Sequence, residues 1–289
     1  MNECFLPGDP VAPDWSAIQL QDTWADQLKL TSVRGWRELW RAFCRKQRQP
    51  VQLPSLPALN FSIPKYILQE FHNLPNGNYS RRFARGYING FDFSMLGTVG
   101  RARTWIADQV KNGGAVLDVG TAGGRTAAAI HAAGVEQVWG VDPSPYLLKH
   151  AALDHPAVTF LPGIAEKLPF PDNRLDAVAI CFVLHEMPPR YIAQAFAEFV
   201  RVLKPGGKLV VAEPSEQQLA PLRWRQLFTL NGWRHRYFAW LARKAYEPFL
   251  PAWHQLDKLA LAADAGLQLE QNRPGMPINR WVFRKPDAC

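Results

Sequence analysis

The sequence has no CxxC pair: its cysteines, Cys4, Cys44, Cys181 and Cys289, are scattered, which argues against a zinc ribbon, a dithiol redox centre or a disulfide framework. No apolar run approaches the roughly 18 residues that a membrane span needs. The first residues carry an acid at Glu3 and lack the basic and apolar stretches of a signal peptide. These absences lead to the expectation of free thiols and a cytoplasmic protein, soluble or peripheral to a membrane. Internal repeats and low-complexity tracts are also missing, so neither a solenoid nor a disordered chain is expected.

What the chain has is apolar material: 47% of its 289 residues are hydrophobic, enough for a substantial core. Its formal charge of +8 is compatible with nucleic acid, anionic lipid or an acidic substrate and selects none of them. From residue 115 to 213, short β-rich runs alternate with helical patterns, the signature of βαβ units around a mostly parallel sheet. Strands are predicted at 115–119, 137–141, 157–161, 175–181 and 208–212, and helices at 125–133, 145–152 and 190–203. Residues 204–207, Lys-Pro-Gly-Gly, form a turn before the fifth strand. A helix at 256–265 and strands at 267–271 and 280–284 bring the sheet to seven strands, the last two closing one edge. The expected fold class is α/β, a doubly wound, mostly parallel seven-stranded sheet.

Residues 1–95, rich in Trp and Pro, read as a helical N-terminal extension or lid, and residues 96–289 as the main domain with a helical insertion at about 216–250. Arg34, Arg37, Arg41, Arg45 and Arg48 recur at helical spacing, with Trp36, Leu39, Trp40 and Phe43 on the other side. Such a helix suits an anionic membrane surface, phosphates, or tryptophans packed on the core with arginines in solvent.

Two features point to a ligand. Residues 115–124 place an apolar strand directly before a glycine-rich turn, 118–124 (Asp-Val-Gly-Thr-Ala-Gly-Gly), that opens a helix; ligands of open α/β sheets bind beyond such strand ends. Alone, the turn also fits a plain strand-to-helix connection. The second strand ends at Asp142, 24 residues on, where a carboxylate can accept both hydrogens of a ribose diol. The spacing Gly120-x-x-Gly123-Gly124 is not the GxGxxG of nicotinamide enzymes, and Asp118 stands where a pyrophosphate would pass.

With the runs 140–148 (Gly-Val-Asp-Pro-Ser-Pro-Tyr-Leu-Leu), 163–178, 184–188 (Leu-His-Glu-Met-Pro) and 202–207 (Val-Leu-Lys-Pro-Gly-Gly), the sequence resembles the class I S-adenosylmethionine-dependent methyltransferases, in particular the type 11 branch of ubiquinone and menaquinone biosynthesis enzymes. The resemblance covers about residues 112–213. It implies a Rossmann-like fold, S-adenosyl-L-methionine as cofactor with S-adenosyl-L-homocysteine as product, and a cofactor site. In that site Asp118, Gly120, Thr121, Ala122 and Gly123 hold the methionine end, Asp142 the ribose, and Pro143, Ile164 and Ala165 the adenine side, with Cys181 at the fourth strand's end. Ala122 replaces the loop's central glycine, and Ile164 replaces an aspartate that meets the adenine amino group, which leaves adenine to the Ala165 backbone and apolar packing.

Candidate catalytic residues follow the fourth strand. His185 and Glu186 are placed to act as a base or to orient an acceptor, and His185 equally fits a packed turn. Glu213 at the end of the fifth strand, Tyr87 and Phe91 at i and i+4 in the lid, and Trp233 and Tyr237 with Trp240 in the insertion are candidate substrate contacts, each with a packing role as the alternative. No metal is expected, because Cys181 and Phe182 stand where catechol-type enzymes place an acid. The acceptor implied is a small molecule, aromatic or lipid-like; RNA or DNA methylation and a cofactor-binding module without turnover are the alternatives.

Overall fold

The computed structural model describes residues 8–44, 50–53, 61–221 and 228–287. Its centre is a seven-stranded sheet in the order β3-β2-β1-β4-β5-β7-β6. The strands are β1 (Ala115–Val119), β2 (Gln137–Asp142), β3 (Thr159–Pro162), β4 (Leu175–Cys181), β5 (Leu203–Pro214), β6 (Gln268–Arg273) and β7 (Ile278–Arg284). The first five run parallel; β7 is antiparallel to both β5 and β6 and lies between them. Each predicted strand is found within a residue or two, and the final pair forms the expected edge. The one larger difference is β5, which begins at Leu203: Leu203 pairs with Leu175 before residues 204–207 bulge out, and pairing resumes at Lys208 opposite Ala177.

The alternation along the strands assigns the two faces. Leu117, Val119, Trp139, Val141, Val178, Ile180, Leu209 and Val211 point to one side. That side is covered by α6 (Pro189–Val202), α8 (Leu250–Gln255) and α9 (Lys258–Asp264). Val116, Val138, Ala177, Ala179, Val210 and Ala212 point to the other, under α3 (Thr98–Val110), α4 (Arg125–Ala132) and Phe238 of α7 (Leu230–Lys244). Burial on both faces is why these strands read as near-continuous apolar runs. Helix α5 (Pro145–Asp154) starts where sequence patterning puts it, with Pro145 in its first turn and the Ser144 hydroxyl accepting from the Leu147 N–H.

Before the sheet, the chain holds α1 (Val33–Cys44), α2 (Arg81–Ser94) and turns between them. Helix α2 is anchored at its start. Ser80 caps it and donates its hydroxyl to Asp26 Oδ1 at 2.6 Å, and Asp26 also accepts the Arg82 N–H and the Thr23 N–H and hydroxyl. Burial raises the Asp26 pKa, and these donors outweigh it, so the carboxyl stays below its ordinary range. At the other end of α2, Asp92 accepts Arg103 Nη1 at 2.7 Å and pairs with Arg125, fixing the helix across the start of α4. On α1, Leu39 is buried, but Trp36 and Trp40 are 59% and 71% exposed, which corrects the reading with both tryptophans on the core. Arg41 and Phe43 side chains, Arg45, Arg48 and the start of the insertion at 222–227 lie outside the described residues. Among the described residues no helix is long and apolar enough to cross a membrane.

Candidate active site

The carboxyl ends of β1, β2 and β4 open into a cleft enclosing about 1060 Å³, partly open to solvent. Its wall contains Gly120, Thr121, Ala122 and Gly123 from the glycine turn, Asp142 and Pro143 after β2, Ile164 and Ala165 after β3, and Cys181 at the end of β4. The sequence placed these residues together, and the structure does so in one cavity. At Gly120 and Gly123 the approach of a neighbour requires glycine. Gly120 has φ +66, and a Cβ there would come within 2.4 Å of Val183; a Cβ on Gly123 would come within 2.7 Å of Ile88, so Gly123 is what lets α2 lie against the turn. Ala122 adopts φ 48, a left-handed conformation that costs an alanine on the order of 1 kcal/mol. Ala122→Gly is therefore expected to leave the melting temperature equal or slightly higher and ligand affinity within about threefold, measured by thermal denaturation and calorimetry.

The two acids of this region do different things. Asp142 accepts the Ala122 N–H at 2.9 Å on one oxygen and the Ser144 N–H at 2.8 Å on the other, and its carboxylate faces the cleft. Burial pushes its pKa up to about 7, against the two N–H donors. Asp118 stands behind the turn and is not part of the cleft wall. Its Oδ2 accepts the Thr121 hydroxyl at 2.6 Å and the Ala127 N–H at 3.1 Å, tying the turn to the start of α4. Burial again dominates and pushes it up to about 7. Cys181 is a neutral thiol, pushed up to about 12 by burial.

The residues after β4 divide in the same way. Glu186 lines the cleft with Phe182, Val183 and Met187. His185 and Glu213 do not. Glu213 is fully buried and accepts the Val183 N–H at 2.6 Å, the Leu184 N–H at 2.8 Å and His185 Nδ1 at 2.7 Å. Burial disfavours the His185 imidazolium, but the Glu213 charge and hydrogen bond outweigh it and raise the His185 pKa. The pair thus shapes the turn that presents Glu186.

A second cavity, enclosing about 1320 Å³ and also open to solvent, lies between α2, α7 and the 3-10 turn Phe71–Asn73. Tyr87, Phe91 and Phe182 line both cavities and form the partition between them. In the insertion, Trp240 reaches this second cavity, whereas Trp233 is exposed and Tyr237 donates its hydroxyl to the Ser94 carbonyl at 2.7 Å, docking α7 on α2. Of the anticipated wall of Trp233, Tyr237 and Trp240, Trp240 alone lines the cavity, together with Phe238 and Leu241. Sequence reasoning missed His72, Glu247, Arg103 and Phe182, which line one or other cavity. Of these, only Phe182 had a local signal, its place directly after a strand end.

Residues 117–211 match the family model described as methyltransferase domain. The match covers 95 of the 289 residues. Over 135 residues it is 39% identical to a demethylmenaquinone methyltransferase of Renibacterium salmoninarum, covering 46% of this chain and 55% of the relative. Over 134 residues it is 39% identical to a ubiquinone/menaquinone biosynthesis C-methyltransferase of Burkholderia mallei, covering 42% and 54%. The chain spans about half the length of the curated relatives it matches. The fold is shared with a TehB-like SAM-dependent methyltransferase from Corynebacterium glutamicum, with TM-score 0.50 and 18% identity over 71% of this chain and 98% of the other. An S-adenosyl-L-methionine-dependent methyltransferase from Methanococcus maripaludis aligns with TM-score 0.50 and 17% identity over 72% and 94%.

Proposed function

We propose that the protein transfers the methyl group of S-adenosylmethionine to a small aromatic or lipid-like acceptor held between α2 and α7. The observation that carries this reading is the shared partition: the cleft at the strand ends and the apolar cavity beside it meet at Tyr87, Phe91 and Phe182. A donor and an acceptor bound on the two sides of that partition would meet at one point.

The residues of the first cleft suit the cofactor. Asp142 has one N–H on each carboxylate oxygen and lone pairs left for a ribose diol. Pro143, Ile164 and Ala165 offer an apolar seat for adenine, and Arg103 with the start of α4 supplies positive potential for a carboxylate. When bound, S-adenosylmethionine supplies a methyl group on a sulfonium, which an in-line nucleophile can take. The protein's own part is alignment and exclusion of water, and good alignment can contribute several kcal/mol. Tyr87, Phe91 and Phe182 provide the water-poor surroundings.

The exposed side chains near the second cavity support a lipid-like acceptor. Phe93 and Leu96 stand out from the end of α2, and Trp233 and Trp240 from α7, which also exposes Arg236 and Lys244. Aromatic and cationic side chains together favour an anionic lipid interface. Sedimentation with vesicles is expected to capture the protein on phosphatidylglycerol-containing membranes and to lose it with Trp233→Ser/Trp240→Ser; equal sedimentation of both proteins would remove this support.

The reading itself is tested with methyl-labelled S-adenosylmethionine and cell extract separated into lipid, small-molecule, nucleic-acid and protein fractions. Label in the lipid or small-molecule fraction is expected. Label confined to nucleic acid would replace the acceptor class. Cofactor binding without label anywhere would replace the enzyme reading by that of a binding module.

A further inference from the structure

Between the two cavities lies a cluster of ionisable side chains contributed by segments far apart in the chain. His72, in the 3-10 turn Phe71–Asn73, adopts φ 55 and ψ 21, a left-handed conformation uncommon outside glycine. It is held there by its N–H on the Tyr246 carbonyl at 3.1 Å and by Asn73 Nδ2 on the Lys244 carbonyl at 3.0 Å. Its ring stacks on Tyr87, with centroids 5.3 Å apart. His72 Nε2 is 2.8 Å from Glu186 Oε1, and its Nδ1 is 3.4 Å from Glu247 Oε1.

Ionised carboxylates only accept hydrogen bonds, and a neutral imidazole has one N–H. A carboxylate 2.8 Å from one ring nitrogen and a second 3.4 Å from the other favour the imidazolium. Burial works against that charge, but the hydrogen bonds to Glu186 and Glu247 outweigh it and push the His72 pKa up to about 10. Burial acts to raise the Glu247 carboxyl, but its bond to His72 and the charges of His185 and His72 outweigh it and hold the carboxyl below the usual carboxylate range. Tyr87, facing the ring from α2, is kept neutral by burial, with a further contribution from Glu186. Glu186 lines the cofactor cleft; His72 and Glu247 line the second cavity. The cluster therefore spans the partition where donor and acceptor would meet.

We propose that Glu186 is the proton acceptor of the methyl transfer and that His72, braced by Glu247, is its positioning residue, so that the acceptor is one that loses a proton on methylation, such as a phenol or an enol. This rests on the methyl-transfer reading. In the step, a lone pair of the acceptor forms the new bond to the methyl carbon while the carbon–sulfur bond breaks and leaves its electron pair on sulfur. The acceptor's proton passes to the Glu186 carboxylate and leaves to solvent with the products. The His72 ring, 2.8 Å from Glu186 Oε1, fixes the carboxylate in place. The turn carrying His72 and the segment carrying Glu247 belong to the extension and the insertion, so both must be docked before Glu186 is held.

Two measurements test this. The first needs no turnover: in histidine-labelled protein with S-adenosylhomocysteine, the ring that disappears in His72→Gln is expected to carry protons on both nitrogens at pH 8 and to lose one of them in Glu247→Gln. A neutral His72 ring in the wild type at pH 8 would overturn the proposal. The second uses methyl-labelled S-adenosylmethionine with 1,4-dihydroxynaphthalene as acceptor probe. Glu186→Gln is expected to lower kcat about 100-fold or more, and His72→Gln about 10-fold or more with a higher pKa on the acid limb of the pH–rate profile. KM for S-adenosylmethionine and the affinity for S-adenosylhomocysteine should stay within about threefold in both. Unchanged kcat in both variants, or losses in KM and melting temperature alone, would reduce the cluster to a packing device. A wild type that binds S-adenosylmethionine but methylates neither the probe nor any extract fraction would count against the methyl-transfer reading, and the ring protonation would still decide the state of the cluster.

Discussion

Asp142→Ala is expected to weaken S-adenosylhomocysteine binding by about 10²–10⁴-fold. A carboxylate accepting both hydrogens of a ribose diol makes two charge-assisted hydrogen bonds, each worth about 1.5–3 kcal/mol, and each 1.4 kcal/mol is tenfold in affinity. The substitution also removes the acceptor of the Ala122 and Ser144 N–H groups, which hold the glycine turn and the start of α5 to the end of β2. Asp142→Asn, which keeps one carbonyl oxygen, should lose less. The pH dependence gives a second handle. Burial pushes the free carboxyl up to about 7, whereas the complex needs the carboxylate. Affinity should therefore be full above pH 7 and fall by up to about tenfold per unit as pH drops below it, with proton release on binding at pH 6. Calorimetry in buffers of different ionisation enthalpy measures both, and Asp142→Ala should flatten that dependence. Undiminished affinity in Asp142→Ala would remove the ribose assignment.

Glu213→Ala should be the most destabilising single change near the site. It removes a buried carboxylate that accepts two backbone N–H groups and the His185 ring, and it leaves those donors and a buried imidazole without their partner. Breaking a buried ion pair from one side costs about 3–5 kcal/mol, which for a protein of this size corresponds to a fall in melting temperature of roughly 10 °C. The sign with pH is also fixed. His185 has a raised pKa in the folded protein, so its contribution is complete below its unfolded value near 6.5 and is lost as pH rises through the folded value. The Glu213→Ala penalty measured by thermal denaturation should accordingly shrink at alkaline pH. A variant with an unchanged melting temperature but a large loss of kcat would instead place Glu213 in the reaction.

The parallel core was legible because its information is local. Apolar runs covered on both faces, a glycine turn after the first strand and an acid at the end of the second each declare themselves within a few residues. Asp142 and the Gly120–Gly123 turn follow from that reading, whereas Tyr87 and Phe91 stood out by their i and i+4 spacing in the extension, where packing was the alternative. Neighbouring residues could not be told apart in the same way. His185 and Glu186 are adjacent, yet one points at Glu213 inside the protein and the other into the cleft, a difference set by the φ 62 turn at Phe182 and the 3-10 turn after it. Periodicity named a face of α7 but not what it meets: Tyr237 is spent on the Ser94 carbonyl, Trp233 stays outside, and Trp240 lines the cavity. The His72 cluster was out of reach because its members lie at positions 72, 186 and 247, and only the folded chain brings them together.

The most direct measurement is a crystal structure of the protein with S-adenosylhomocysteine. The ribose hydroxyls are expected on Asp142, adenine against Ile164 and Ala165, and the sulfur directed at the partition of Tyr87, Phe91 and Phe182. A nucleoside bound elsewhere, or a cleft that stays empty at saturating ligand, would contradict this placement.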